Sequence, residues 1–204
     1  LGRVALGALR EFAPTPFVLA RAVGLAGAET LPEGSEALDD LRKRYREDPI
    51  SLRETTFPAW LALTVYDRVE AKLEREPVED FRIDFEDGFG VRPDAEEDAE
   101  VERTAKEVAK AMAAKTLPPF IGIRIKTLNE ELKERSFRTL EGFVATLLAE
   151  SDGKLPEIFV VTLPKVTHVD QVKATVRMLE LLEARHGLAE GALQLELMIE
   201  VTQT

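Results

Sequence analysis

From Pro77 onward the chain alternates short β-rich runs with longer amphipathic stretches, and this alternation limits the fold more than any other feature of the sequence. In Asp80–Gly90, Asp-Phe-Arg-Ile-Asp-Phe-Glu-Asp-Gly-Phe-Gly, the apolar Phe81, Ile83 and Phe85 alternate strictly with Arg82, Asp84 and Glu86. That is the period of two that a pleated strand imposes. Asp94 and Glu97 then open a capping-box-like helix start, followed by an apolar stripe at Val101, Ala105, Val108 and Met112. A second strand is predicted at Phe120–Lys126 and a helix on Leu140, Phe143, Val144, Leu147 and Leu148. Asp152-Gly153 breaks that helix before a strand at Ile158–Leu163. Thr167 and Asp170 open the last helix, with its face at Val169, Val172, Val176, Leu179 and Leu182 and a stop at Gly187; a fourth strand is expected at Leu193–Glu200.

Strands that alternate with helices of this length build right-handed βαβ units and a parallel sheet, either doubly wound or closed as a (β/α)8 barrel. Two observations select the barrel. No Gly-x-Gly-x-x-Gly or Gly-x-x-x-x-Gly-Lys-Ser/Thr loop follows a strand, so the phosphate cradle usual in open nucleotide-binding sheets is missing. Polar residues also recur at alternate strand positions: Arg82, Asp84 and Glu86; Arg124 and Lys126; Gln194, Glu196 and Glu200. An open parallel sheet is covered by helices on both faces and should be apolar on both, whereas a barrel can turn a mixed face inward.

The first third reads differently. Residues 1–28 predict two short helices meeting at the Pro14 and Pro16 corner, Ser35 starts a helix carrying Leu38, Leu41 and Tyr45 that Pro49 helps to stop, and a longer helix runs from Pro58 with Leu61, Val65, Val69 and Leu73 on one face. The expected organisation is a mainly helical segment over 1–76 and a β/α domain over 77–204.

At 204 residues and 45% hydrophobic content the chain can bury a proper core. Its net charge of −11 and pI near 4.9 argue against nucleic acid or an anionic membrane surface as partners. With no cysteine, a disulfide framework, a thiolate metal site and a cysteine nucleophile are excluded, which fits a cytoplasmic protein. The most apolar early stretch, 17–28, contains Arg21 and is too short to span a bilayer, and no signal peptide is recognisable, so a soluble protein is expected.

The chemistry-bearing candidates lie where strands end. Glu86, Asp87 and Glu200 are carboxylates at the carboxyl ends of predicted strands, a position where parallel sheets gather their sites. Such a set suits a hard divalent cation, Mg2+ or Mn2+, that keeps several waters; the alternative is a solvated loop. Arg124 sits in the otherwise apolar Ile-Gly-Ile-Arg-Ile-Lys, and a buried guanidinium must be paired. Its partner is either an internal carboxylate, Asp84 or Glu86, or the carboxylate of a substrate. Lys165 in Leu-Pro-Lys-Val follows the third strand and could contact substrate or cap the rim. His168 and His186 have structural readings, and no Gly-x-Ser-x-Gly supports a serine triad.

Asp-Phe-Glu-Asp-Gly, Ile-Arg-Ile, Leu-Pro-Lys-Val and Glu-Leu-Met-Ile-Glu occur in the order found in the HpcH/HpaI aldolase and citrate lyase beta-subunit-like superfamily, and over about 77–204 the chain most resembles the citrate lyase beta-like branch. The resemblance implies a TIM barrel of the phosphoenolpyruvate/pyruvate-binding type and a homo-oligomer. It also implies a metal-dependent carbon-carbon lyase or aldolase that acts through an enolate on a small carboxylate or its coenzyme A thioester. By motif, Glu200 resembles the direct metal ligand, Glu86 and Asp87 the acidic pair that binds metal-held water, and Arg124 the arginine that grips the substrate carboxylate. A catalytically silent relative serving as a binding or assembly module is the alternative.

The sequence departs from that pattern in three ways. No second metal-ligating aspartate follows the fourth motif before Thr204, no early strand of the Leu-Phe-Val-Pro-Gly type is present, and Val201 stands where threonine commonly follows the glutamate. Four strands do not close an eight-stranded barrel, so 77–204 is expected to be the first half of one, with the rest outside this sequence.

Overall fold

The computed structural model describes residues 1–202 and divides the chain into two compact units, Leu1–Val78 and Glu79–Thr204. The first is helical: α1 (Gly2–Phe12), α2 (Pro16–Ala22), α3 (Ser35–Glu47), α4 (Pro49–Thr55) and α5 (Phe57–Arg75), with a 3-10 turn at Ala28–Thr30. The other four helices pack on α5. The core of α2 to α5 holds Phe17, Leu38, Leu41, Leu52 and Leu63, and Leu9 of α1 clusters separately with Ala13 and Tyr66.

Two details differ from the sequence expectation. Pro49 ends α3 but also begins α4: the Asp48 carboxylate accepts the backbone N–H groups of Ile50 (3.1 Å) and Ser51 (2.9 Å), so a proline at the first helical position is preorganised for a new helix. On α5 the buried residues are Ala59, Ala62, Leu63 and Tyr66, while Leu61 and Val65 are half-buried. The small alanines let neighbouring helices approach closely there, so the buried face runs through Ala59, Ala62, Leu63 and Tyr66 and leaves Leu61 and Val65 at its margin.

The second unit is α/β. Its elements are β1 (Asp80–Asp84), α6 (Asp94–Ala113), β2 (Phe120–Arg124), α7 (Lys133–Glu150), β3 (Phe159–Leu163), α8 (Val169–His186) and β4 (Gln194–Leu197). All pairings are parallel and the strand order is β1-β2-β3-β4. One register row reads Asp84, Arg124, Thr162, Glu196; the row two residues lower reads Arg82, Gly122, Val160, Gln194. The alternate positions, including Ile83, Ile123, Val161 and Leu195, join apolar residues of α6, α7 and α8 in a single core. The helices therefore cover one face, and the polar positions share the other. Leu140, Phe143, Val144 and Leu147 are fully buried in that core, each contributing about 1.5–3 kcal/mol of transfer free energy.

Helix ends follow local chemistry. Glu97, expected in a capping box, is instead a buried carboxylate, and Pro93 precedes α6 without a side-chain cap. His168 caps α8: its Nδ1 accepts the Asp170 N–H at 3.2 Å, and Gln171 Oε1 accepts the His168 N–H at 3.1 Å. The face of α8 is also displaced. Thr175 is buried, its hydroxyl donating to the Gln171 carbonyl at 2.8 Å, whereas Val169 and Val176 are exposed. A threonine that satisfies its hydroxyl on the preceding turn buries like valine.

Two contacts shape the polar face. Arg82 of β1 donates to Glu196 of β4 at 2.7 Å across the two intervening strands. Strands stand about 4.8 Å apart, so these edges would lie about 14 Å apart in a flat sheet, and the ion pair links them over the polar face. Gly122 lies beneath that link. A β-carbon at 122 would overlap the carbonyl oxygen of Val160 and come within 2.8 Å of its carbonyl carbon. Gly122→Ala is therefore expected to lower stability by about 1–3 kcal/mol through forced separation of β2 and β3. Urea unfolding measures it, and an unchanged midpoint would refute the close approach.

Candidate active site

The centre of the site is Asp84, the last residue of β1. Its carboxylate accepts two hydrogen bonds from Arg124, Nε to Oδ1 at 2.8 Å and Nη2 to Oδ2, and two from backbone, Glu86 N at 2.9 Å and Gly88 N at 2.7 Å. The first pair crosses between register partners on adjacent strands, and the second folds the chain sharply as it leaves the sheet. A β-carbon at Gly88 would strike Asp84 Oδ2, so the turn requires glycine. The Arg124 hydrogen bond, with help from the two amides, holds the Asp84 pKa at about 2. Asp84 in turn raises the pKa of Arg124.

This turn presents Glu86 and Asp87. Both accept hydrogen bonds from the Lys165 ammonium, Asp87 Oδ1 at 2.7 Å and Glu86 Oε1 at shorter range. Glu86 is buried and lies 3.9 Å from Arg124 Nη2, while Asp87 is exposed. Lys165 lowers the pKa of Asp87, and Asp87 followed by Glu86 raises that of Lys165. Glu200, exposed, accepts the backbone N–H of Lys165 at 3.0 Å. Lys165 holds a left-handed conformation, φ +50°, uncommon for a residue with a β-carbon and the kind of strain that collects at functional sites.

The five residues singled out in the sequence thus meet at one end of the sheet. Glu86, Asp87 and Glu200 all contact Lys165, and Arg124 lies on the polar face beside Glu86. Both alternatives weighed for Arg124 bear on its geometry: one edge of the guanidinium is taken by Asp84, while Nη1 reaches only Met198 Sδ, a weak acceptor, at 3.7 Å. Lys126 leaves this group. Its ammonium donates to the carbonyls of Phe85 (2.6 Å) and Gly90 (3.2 Å) and pairs with Glu97 at 3.1 Å. Glu97, fully buried, also accepts from the Thr139 hydroxyl at 2.6 Å and pairs with Arg135 at 3.3 Å.

Asp84 and Glu97 are the residues the sequence underweights. Asp84 has a readable signal in the alternation of its strand, but Glu97 sits in a first helical turn, where glutamate is common for reasons of the helix dipole.

Oxygen-only carboxylates suit Mg2+ or Mn2+ in kind. Among the described residues no three histidine, aspartate or glutamate side chains close around one point as a metal cage, and the Lys165 ammonium lies between Glu86 and Asp87. A hydrated ion held through water fits these donors; a directly caged one does not. An open cavity of about 550 Å3 beside β1 and α6 is lined by Phe81, Arg82, Ile83, Asp84, Val108 and Leu117. No helix among the described residues is long and apolar enough to cross a membrane.

Fold and site together define an α/β protein with a four-stranded parallel sheet and a charged cluster at the carboxyl ends of its strands. Over its whole length, residues 1–204, the chain matches the family model described as Domain of unknown function (DUF6986), and it belongs to that family. No curated protein and no solved structure matches it.

Asp84 gives a pH test of this geometry. Its pKa is depressed from 3.8 to about 2, so its contribution to stability is complete above the unfolded value and is lost as pH falls through the folded one. Asp84→Asn is expected to cost about 2 kcal/mol at neutral pH, the worth of hydrogen bonds to a charged partner. The difference from the unaltered chain should narrow below pH 3.8 and be smallest near pH 2. Urea unfolding across pH checks it, and a difference independent of pH would remove Asp84 from the centre of the site.

Proposed function

We propose that this protein is a metal-dependent carbon-carbon lyase or aldolase related to the HpcH/HpaI and citrate lyase beta-like superfamily, and that its sheet is part of a (β/α)8 barrel. The observation that carries the reading is the meeting of Glu86, Asp87, Arg124, Lys165 and Glu200 at the carboxyl ends of parallel strands in sequential order. Supporting the barrel are helices packed on one face only and a polar opposite face. Sequential strand order is what a sheet winding in one direction produces; a doubly wound sheet reverses.

The substrate is a small carboxylate or its coenzyme A thioester. Arg124 holds the carboxylate, with Asp84 fixing the plane of the guanidinium. Retro-aldol cleavage of a 2-keto-4-hydroxy acid removes the hydroxyl proton, turns the hydroxyl carbon into a carbonyl, and leaves the bond's electron pair on the other fragment as an enolate, which then takes up a proton. Glu86, Asp87 and Glu200 would hold the ion, Asp87 and Glu86 through water. Mg2+ or Mn2+ bound there would supply Lewis-acid stabilisation of the enolate oxygen. The Arg124 guanidinium offsets the same charge, and Lys165 contacts substrate or steadies the acidic pair. The setting is cytoplasmic, without nucleic acid or membrane, and the protein assembles as a homo-oligomer.

Cleavage of 2-keto-4-hydroxy acids and β-hydroxyacyl thioesters should require Mg2+ or Mn2+ and stop with chelator. Glu200→Gln should lose metal binding by calorimetry with its fold intact. Arg124→Lys should lower kcat/KM by about 100-fold, because an ammonium cannot hold Asp84 at two points and still present a further donor to the substrate. A chain with neither metal binding nor turnover would instead be the silent binding module.

A further inference from the structure

Among the described residues, five buried side-chain atoms have no hydrogen-bond partner: Arg82 Nε, Glu97 Oε2, Arg135 Nε, Thr162 Oγ1 and His186 Nε2. Three of these have ready accounts and a fourth lies away from the site. Glu97 Oε2 is 3.1 Å from the Lys126 ammonium and Arg135 Nε is 3.3 Å from Glu97 Oε1, so both belong to one ionic cluster. Arg82 Nε is part of a guanidinium whose other nitrogens are taken by Asp80 and Glu196. His186 Nε2 lies at the far end of α8, away from the strand ends. Thr162 is the exception.

Thr162 is the third residue of its four-residue register row, with Arg124 on one side and Glu196 on the other, and it is 2% exposed. Its neighbours Val161 and Leu163 face the helices, which puts Thr162 on the polar face. Unlike Thr175, it makes no hydrogen bond to its own backbone or to a neighbour. Leaving a buried hydroxyl unpaired costs about 1–3 kcal/mol, and valine would fill the same space without that cost. At the paired position on β2, Arg124 Nη1 has among the described residues only a thioether for company. Two unspent donors therefore occupy paired register positions on adjacent strands of the polar face, near the carboxyl ends of β2 and β3.

We propose that Thr162 is a substrate-binding residue: its hydroxyl donates to the carboxylate that Arg124 holds through Nη1, which makes the anion site a two-strand clamp across β2 and β3. The assignment rests on the lyase reading for the kind of ligand, a small 2-keto carboxylate. The geometry explains why a hydroxyl persists where the fold alone would do better with a methyl group.

The test is calorimetric titration with pyruvate at saturating Mg2+, together with thermal unfolding of the free chain, for the unaltered protein, Thr162→Val and Thr162→Ser. Thr162→Val is expected to match or exceed the unaltered Tm and to bind pyruvate about tenfold more weakly, the worth of one charge-assisted hydrogen bond. Thr162→Ser, which keeps the donor, should restore most of the affinity. Unchanged affinity in Thr162→Val overturns the proposal while leaving the lyase reading intact. A marked fall in Tm with unchanged affinity would make the hydroxyl a structural group bridged by water. No pyruvate binding by the unaltered chain overturns the lyase reading, and the clamp with it.

Discussion

The bidentate pairing of Asp84 with Arg124 is the constraint on which the rest of the site depends. It joins register partners on β1 and β2, so it is a cross-strand pair built into the ladder and cannot shift without slipping the sheet. The same carboxylate takes the amides of Glu86 and Gly88 and so fixes the direction in which the chain leaves β1. Glu86 and Asp87 point to Lys165 because Asp84 has already set the turn. One charged group thus orients a cation on its own sheet and an acidic pair on its own loop.

A second ionic centre works on the opposite face. Glu97 is fully buried, and an unpaired carboxylate there would cost several kcal/mol. It is compensated by Lys126 from just beyond β2 and by Arg135 and Thr139 from α7, and Lys126 also clasps the carbonyls of Phe85 and Gly90. The loop after β1 is therefore held at both ends: Asp84 shapes its start from the sheet side, and Lys126 fastens its backbone to the helix layer. The loop that carries Glu86 and Asp87 is thus held in place by charge as much as by packing.

The strand alternation made the sheet legible, because the period of two distinguishes Ile83 and Ile123 from Asp84 and Arg124 without any knowledge of contacts. Parallel order and the gathering of Glu86, Asp87, Lys165 and Glu200 followed from connection lengths. What the sequence concealed was partnership. Periodicity assigns a residue to a face but not to a neighbour, so the competing partners of Arg124 could not be separated, and Glu97 passed as a helix-start residue. Lys126 shared a parity with Arg124, yet β2 ends at Arg124 and the chain turns before that parity can act. Helix α4 was hidden because Pro49 stops one helix and starts the next within a single residue. Thr162, inside the apolar run Phe-Val-Val-Thr-Leu, looked like one more β-branched strand residue.

Charge at the carboxyl ends of the strands bears on the lyase reading. Asp84, Glu86, Asp87 and Glu200 stand against Arg124 and Lys165, so four carboxylates face two cations. The remaining two formal negative charges would oppose an entering carboxylate. Like charges 4 Å apart repel by about 1 kcal/mol in water and about 4 kcal/mol at the effective dielectric of a protein surface. A single divalent ion balances that excess, and a monovalent one does not. On the lyase reading, metal must therefore precede substrate: the acidic end of the sheet becomes hospitable to an anion only when Glu86, Asp87 and Glu200 have been neutralised. On that reading Arg124 Nη1 and Thr162 would then meet a carboxylate that no longer has to cross a negative field.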